Sequence, residues 1–380
     1  MKEIVVALDW TPNTNHTGFY VAKAKGYYQA NGLKVRILGA NEEDYRGSYS
    51  EGGDGESYAT PCGKVAAKTA TFALNSPEGI IGWNSPPPGT NRPGLKAVAA
   101  VLQSQTSAIV TLSKSDIPRP AELDGKVYAS YAARYESRIV QQMIKNDGGK
   151  GEFSEITPPM LGIWNTLVNG EANATWVFLG WEGVEARLRG VKLRSFKLQD
   201  YGVPYAYAPV LCAHPDVLRD SPDMVNDFLT ATAQGFEFAA AYPEEAADIL
   251  ITGAKTENDC ELEQDLVHES QKWLGPHYLN GKGQWGHMDS LRWDNYLDWL
   301  SDNGLLTTYV QSRNPKEGVS VSLDDLRKGN VGERIPRESF PSSKIFTNEY
   351  LPPASFELTT TLSNSVDECS RDMPSSCFCV

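Results

Sequence analysis

Leu8-Asp9-Trp10-Thr11-Pro12-Asn13-Thr14-Asn15-His16-Thr17-Gly18-Phe19-Tyr20-Val21-Ala22 joins two unlike patterns. Ahead of it, Ile4-Val5-Val6-Ala7-Leu8 is a β-branched apolar run of buried-strand length. Behind it, the run from Phe19 to Tyr28 reads as a helix ending near Gly32, and residues 34–38 form a second strand. That is a βαβ opening. In such sheets ligands collect at the carboxyl ends of the strands. The loop there holds Asp9, Trp10, Asn13, Asn15 and His16, with Tyr20 just inside the helix. An indole can stack on a flat ring, while carboxylate, amides and imidazole supply directional hydrogen bonds. The stretch is expected to form half of a site for a small, flat, polar ligand.

Working outward, residues 39–62 form a polar excursion with Gly47, Gly52, Gly53 and Gly55. A short helix is predicted over 63–68 and a buried strand over 71–74. Asn75-Ser76-Pro77-Glu78-Gly79 follows, with Ser76 placed to cap a helix that runs to about Asn84. Residues 95–102 and 107–112 have strand length, and the turn-rich stretch 118–126 enters a second lobe. In that lobe, strand 127–130 leads to Arg134, Tyr135 and Glu136. Helices are predicted near 139–144 and 160–168, and strand 174–178 leads to Trp181 and Glu182. After strand 194–198, residues 201–212 carry Tyr201, Tyr205 and Tyr207 back towards the first lobe. Helices follow after Ser221 and over 243–251, 259–273 and 289–302. The predicted architecture is α/β with two lobes: 1–105 plus 205–310, and 106–204. An irregular extension spans 311–353 and a disordered tail 354–380. A hinged cleft between the lobes follows.

The chain has 380 residues and a formal charge of −13. That balance disfavours nucleic acid and anionic membrane surfaces as partners. No apolar run reaches the roughly 18 residues of a membrane span. Met1-Lys2-Glu3 leads straight into a strand without a leader pattern. The expectation is a cytoplasmic protein as the sequence stands, or a periplasmic or extracellular one if a leader was removed. The six cysteines, Cys62, Cys212, Cys260, Cys369, Cys377 and Cys379, lack metal-knuckle spacing and read as reduced thiols.

Strand-end loops therefore collect one constellation. The first lobe offers Asp9, Trp10, Asn13, Asn15, His16, Tyr20, Asn75, Ser76 and Glu78. The second offers Arg134, Tyr135, Trp176, Trp181 and Glu182, and Tyr205 lies on the crossing. Arg134 suits a phosphate or carboxylate, and a glutamate suits a ring amino group. Each has a structural alternative: Glu78 as a helix-dipole partner, Trp176 as strand core, Arg134 as a surface ion pair. Trp164, Trp273, Trp285, Trp293 and Trp299 read as packing. His214, His268, His277 and His287 read as structural or exposed. Catalytic signatures are missing: no nucleophile elbow, no phosphate loop and no metal-ligand spacing.

Asp9-Trp10-Thr11-Pro12-Asn13-Thr14-Asn15-His16-Thr17-Gly18, followed by Tyr20-Val21-Ala22 and Lys25-Gly26-Tyr27-Tyr28, resembles the start of the thiamine-pyrimidine family. That family joins bacterial pyrimidine-precursor binding proteins with fungal enzymes making the thiamine pyrimidine phosphate. Its superfamily includes sulfonate and taurine binding proteins. The resemblance covers roughly residues 3–310 and implies a periplasmic-binding-protein fold. In the binding branch it implies that aromatic rings sandwich an aminopyrimidine while a glutamate fixes its amino group. Trp10, Asn13, His16, Glu78, Tyr135, Trp176 and Trp181 are the counterparts by position. A transport permease is the implied partner if the chain is exported.

The enzyme branch implies pyridoxal phosphate on a lysine, a histidine consumed as donor, and iron with a cysteine-rich run. Here Asn75 stands at the lysine and Gly79 at the histidine; Asn75 cannot form a Schiff base. The cysteine-rich run aligns near Tyr205-Ala206-Tyr207-Ala208-Pro209, with Cys212 nearby. Ala132-Ala133-Arg134 replaces a glycine-rich phosphate loop. The expectation is therefore a binding protein for a thiamine-related aminopyrimidine, without cofactor. Its rivals are a pyrimidine phosphate synthase with displaced catalytic groups, and a receptor for a sulfonate or other small organic acid.

Overall fold

Two sheets of the same plan carry the chain. The computed structural model describes residues 1–39, 60–86, 89, 92–131, 133–158, 163–308 and 332–353. The first sheet contains β1 (Lys2–Ala7), β2 (Leu33–Leu38), β3 (Phe72–Asn75), β4 (Lys96–Ala100) and β10 (Val210–Ala213) in the order β2-β1-β3-β10-β4. The second contains β5 (Ser107–Leu112), β6 (Val127–Ala129), β7 (Ser154–Ile156), β8 (Ala174–Phe178) and β9 (Leu193–Lys197) in the order β7-β6-β8-β5-β9. In each, three parallel strands adjoin one antiparallel strand. That strand is the first one formed after the chain crosses from the other lobe: β5 in the second sheet, β10 in the first. The crossings are residues 101–106 and 198–209.

The cap predicted at Ser76 is used, whereas the short helix expected over 63–68 starts two residues earlier, from a cap at Thr60. α3 (Pro61–Ala66) and α4 (Pro77–Asn84) begin at Thr60 and Ser76, whose hydroxyls accept from Gly63 and Gly79 N–H. The single helix expected from Phe19 to Gly32 is instead α1 (Thr17–Ala24) and α2 (Tyr27–Ala30). Gly26 divides them with φ +75, a backbone state that glycine adopts without steric cost. The predicted helix over 160–168 is only one π-helical turn, Trp164–Val168, with 159–162 outside the described residues. In the second lobe, α5 (Glu136–Asn146) and α6 (Glu182–Leu188) follow β6 and β8. Beyond the second crossing come α7 (Pro215–Asp220), α8 (Pro222–Ala241), α9 (Pro243–Asn258), α10 (Gln264–Leu274) and α11 (Ser290–Asp302). α9 runs seven residues past the expected end at 251, and α10 starts five after the expected 259.

The core of the first lobe follows the apolar spacing. Val225, Phe228, Leu229 and Phe236 of α8 are all fully buried, and Phe228 stacks on Phe72 of β3 at 4.3 Å. α1 lies directly on α8. A Cβ at Gly235 would stand 2.1 Å from the Gly18 carbonyl oxygen, so the two backbones touch. Edge strand β4 is not left open. Ala97 N–H donates to Ile345 O at 2.8 Å, Thr347 N–H to Ala97 O at 2.9 Å, and Ala100 N–H to Gly286 O at 2.8 Å. Buried Phe340 and Ile345 anchor this covering segment. Residues 332–353 are thus built into the first lobe. The rest of the expected extension, the 354–380 tail with Cys369, Cys377 and Cys379, and most of the 39–62 excursion lie outside the described residues. Cys62, Cys212 and Cys260 are free thiols.

Arg292 of α11 holds both crossings. Its Nη1 donates to Gln103 O at 2.6 Å and its Nη2 to Ala206 O at 2.7 Å. Its guanidinium lies 4.0 Å from the centre of the Tyr207 ring.

Candidate ligand-binding site

Parallel neighbours deliver their loops to the same end of a sheet. β1 pairs with β3 through Val6–Phe72 and Ala7–Ala73, so the loops after Ala7 and Asn75 lie side by side. β6 pairs with β8 in the same sense, which brings together the loops after Ala129 and Phe178. All the candidate residues except Tyr20, Asn75 at the end of β3, Trp176 and Tyr205 stand on these four loops or the first turns of the helices that follow. They separate into three groups.

The opening loop is folded onto itself by its own polar groups. Asn13 N–H donates to His16 Nδ1 at 3.2 Å, so Nδ1 presents its lone pair and Nε2 carries the proton. That Nε2 meets Asp9 Oδ1 at 2.9 Å. His16 is fully buried. Asn13 Oδ1 accepts from Asn15 N–H at 2.9 Å, and its Nδ2 donates to Thr11 O at 3.0 Å. Asn13, Asn15 and His16 therefore shape the loop and aim Asp9. Trp10 remains 40% exposed, a large ring at the sheet's end.

A second group is committed to the scaffold, against the sequence expectation. Tyr20 lies in the first-lobe core, its hydroxyl donating to Asn258 Oδ1 at 2.5 Å. Asn75 donates to Cys62 Sγ at 2.8 Å and accepts from Ser76 N–H at 2.7 Å. Ser76 is the α4 cap. Arg134 donates to Thr307 O at 2.7 Å and to Ser85 Oγ at 3.3 Å. It ties the second-lobe loop to the first lobe instead of waiting for an anion. Trp181 packs against the first-lobe core. Glu182 accepts from Phe178 N–H at 3.0 Å, and burial pushes its carboxyl up to about 7.

The third group converges between the lobes. Glu78 sits in the first turn of α4, where a carboxylate is favoured by the helix dipole, and it is 8% exposed. Its Oε1 accepts from the Tyr296 hydroxyl at 2.9 Å. The Tyr296 ring lies 5.2 Å from Tyr205, which lies 5.8 Å from Trp176. Trp176 of the second lobe, Tyr205 of the crossing and Tyr296 of α11 thus form one aromatic wall. Tyr135 is also buried, yet its hydroxyl has no hydrogen-bond partner among the described residues. Burial pushes that hydroxyl up to about 12; Arg134 opposes the shift and the Glu78 carboxylate adds to it. A buried polar atom without a partner is uncommon in folded proteins. Here it lies within electrostatic reach of a buried carboxylate and beside flat rings.

Tyr296 was not singled out in the sequence. It sits in the tryptophan-rich helix read as packing, and its bond to Glu78 spans 218 positions, so nothing local signals it. Tyr128 and Glu136 form a second buried pair at 2.7 Å under the Arg134 loop. Burial pushes Glu136 up to about 7 against three hydrogen-bond donors. The remaining histidines keep to scaffold work where bonds are seen: His214 caps α7, and His268 meets Glu244 and Asp248. Among the described residues no group of three His, Cys, Asp or Glu side chains could hold a metal, and no helix is long and apolar enough to cross a membrane.

The model of the family described as NMT1/THI5 like matches residues 13–246. The formylaminopyrimidine-binding protein of Halalkalibacterium halodurans is 26% identical over 303 residues, spanning 79% of this chain and 85% of that protein. A Haemophilus influenzae protein named for thiamine biosynthesis is 22% identical over 306 residues, 80% of this chain and 88% of its own. The periplasmic aliphatic sulphonate binding protein SsuA of Escherichia coli superposes with a TM-score of 0.57 at 11% identity, covering 86% of this chain and 99% of that one. The two-sheet architecture is the periplasmic-binding-protein fold.

Proposed function

This chain belongs to the NMT1/THI5-like family, and from that premise we propose that its inter-lobe cleft binds a thiamine-related aminopyrimidine. One observation carries the reading. A buried carboxylate with one oxygen already bonded, Glu78, lies near a buried hydroxyl with no partner among the described residues, Tyr135, against a wall of aromatic rings. An aminopyrimidine edge presents an N–H donor beside a ring-nitrogen acceptor. The first suits a carboxylate, the second a hydroxyl, and the ring suits the aromatic wall. The similar Halalkalibacterium protein named for formylaminopyrimidine supports the same ligand class.

Charge argues against the sulfonate reading. Arg134, over the Tyr135 ring, and Arg292, bonded to Tyr205 O, both donate to protein carbonyls. The carboxylate of Glu78 would repel an anionic head group. The synthase reading meets a different obstacle. Asn75 has no amine for a Schiff base, and a Cβ at Gly79 would stand 2.5 Å from Asn75 Oδ1. The two positions where that chemistry places lysine and histidine face each other, but hold an amide and no side chain. Binding for uptake, with a transport permease as partner where the chain is exported, is the role this site fits.

Calorimetry with formylaminopyrimidine, hydroxymethylpyrimidine, pyridoxal phosphate and taurine tests the proposal. Binding of a pyrimidine is expected, weakened about tenfold or more by Glu78→Gln, since hydrogen bonds to charged groups contribute about 1.5–3 kcal/mol. A borohydride-sensitive Schiff-base absorbance, or binding of taurine alone, overturns it.

A further inference from the structure

Helix α11 lies beyond the stretch that the family model matches, which ends at residue 246. It nevertheless reaches into the cleft. We propose that Tyr296 is a positioning residue for ligand recognition: its hydroxyl holds one oxygen of Glu78 so that the other faces the ligand's N–H donor. This rests on the reading of the cleft as an aminopyrimidine site.

The chemistry of the pair supports the assignment. Tyr296 is fully buried and Glu78 nearly so, and the contact between them is 2.9 Å. A tyrosine has one proton to give, so it orients the carboxylate without cancelling its charge. A lysine or arginine there would fix Glu78 equally well but neutralise it, weakening its pull on a ligand amino group. Burial and the Glu78 charge hold the Tyr296 hydroxyl protonated, so it remains the donor. After accepting from Tyr296 at Oε1, the Glu78 carboxylate makes no other hydrogen bond among the described residues.

Tyr296 is itself held. Its ring lies against Tyr205 on one side and 6.1 Å from Trp299 on another. One turn earlier on the same helix, Arg292 grips Gln103 O and Ala206 O of the two crossings. Residues four apart share a helix face. The side chain that aims Glu78 and the side chain that ties the crossings are thus fixed to one rigid element. Glu78, in turn, is set by the capped first turn of α4. The aim of its second oxygen depends on two helices brought together only in the folded chain.

The test separates positioning from bulk packing by asking about ligand selectivity. The probes are 4-amino-5-hydroxymethyl-2-methylpyrimidine and its analogue with methyl in place of the ring amino group. Each is titrated calorimetrically into the full chain and into Tyr296→Phe, Glu78→Gln and the double variant. The unaltered protein is expected to prefer the amino compound by about tenfold or more, the scale of one charge-assisted hydrogen bond. Tyr296→Phe should reduce that preference to within about threefold. The double variant should lose no more than Glu78→Gln alone, because Tyr296 acts through Glu78. Tyr296→His, which retains a ring N–H, should recover part of the preference, whereas Tyr296→Leu, which also lacks the donor, replaces Tyr296→Phe in the cycle if that variant does not fold.

An unchanged preference in Tyr296→Phe, or additive losses in the double variant, overturns the assignment while leaving the cleft reading intact. Failure of the unaltered protein to bind either pyrimidine overturns the cleft reading itself, and the assignment with it.

Discussion

A buried hydroxyl with nothing to bond costs about 1–3 kcal/mol, and the Tyr135 hydroxyl finds no partner among the described residues. If a ligand supplies its partner, Tyr135→Phe should separate stability from binding. Urea unfolding of the free protein should show unchanged or slightly raised stability, while the affinity for an aminopyrimidine falls by about tenfold. A clear loss of stability in the free protein would mean that the hydroxyl has a partner within the fold. Glu182 gives a pH test. Burial raises its carboxyl to about 7 from an ordinary 4.5, so the folded chain holds a proton that the unfolded chain releases between those values. Its contribution is fully present below the lower value and is lost as pH rises through the upper one. Glu182→Gln keeps the acceptor for Phe178 N–H without the ionisation. Urea midpoints at pH 5 and pH 8 should therefore shift in favour of the glutamine variant on going to the higher pH. A difference that stays constant would place the carboxyl in water.

At the scale of the element, α1 meets α8 in direct backbone contact just beyond the anchor loop. α1 begins at Thr17, directly after that loop, and it lies against α8 backbone to backbone at Gly235. A methyl group there would strike the Gly18 carbonyl oxygen, and a Cβ at Gly18 would stand 2.2 Å from the Phe236 ring. Gly235→Ala should lower stability by about 1–3 kcal/mol, the usual cost of overpacking a filled core. Denaturant unfolding measures it, and a neutral result would show that α1 can lift without penalty. The apolar face of α8 was legible in the sequence because its period is local. Gly235 was not, since its meaning depends on a helix more than two hundred residues away. The same is true of residues 332–353, which look irregular in sequence yet complete the edge of β4.

For the whole molecule, the two sheets share one plan and exchange their antiparallel strands across two crossings. This leaves the strand-end loops of both lobes facing a common cleft. Arg134 bridges it, from the second-lobe loop to Ser85 and Thr307. Arg134→Met removes those bonds and should shift the population of free protein towards a more open form. Small-angle scattering should then show a larger radius of gyration without ligand, restored by saturating pyrimidine at a several-fold weaker affinity. Equal radii for the two proteins would remove Arg134 from closure.

Read alone, the chain yields its two α/β lobes, the cap at Ser76, and the buried strand runs, because each is a pattern within a few neighbouring residues. It also yields the anchor loop, whose mixture of aromatic and polar residues follows a strand. Folding decided which of those residues turn inward on the scaffold and which meet in the cleft. His16, Asn13 and Asn15 bond within their own loop, Tyr20 enters the core, and Arg134 is spent on a bridge. Glu78, Tyr135, Trp176 and Tyr205 converge instead, with Tyr296 added from a distant helix. Side-chain polarity is a property of one residue, whereas its hydrogen-bond partner is set by which strands and helices become neighbours. Only the tertiary structure contains that second fact.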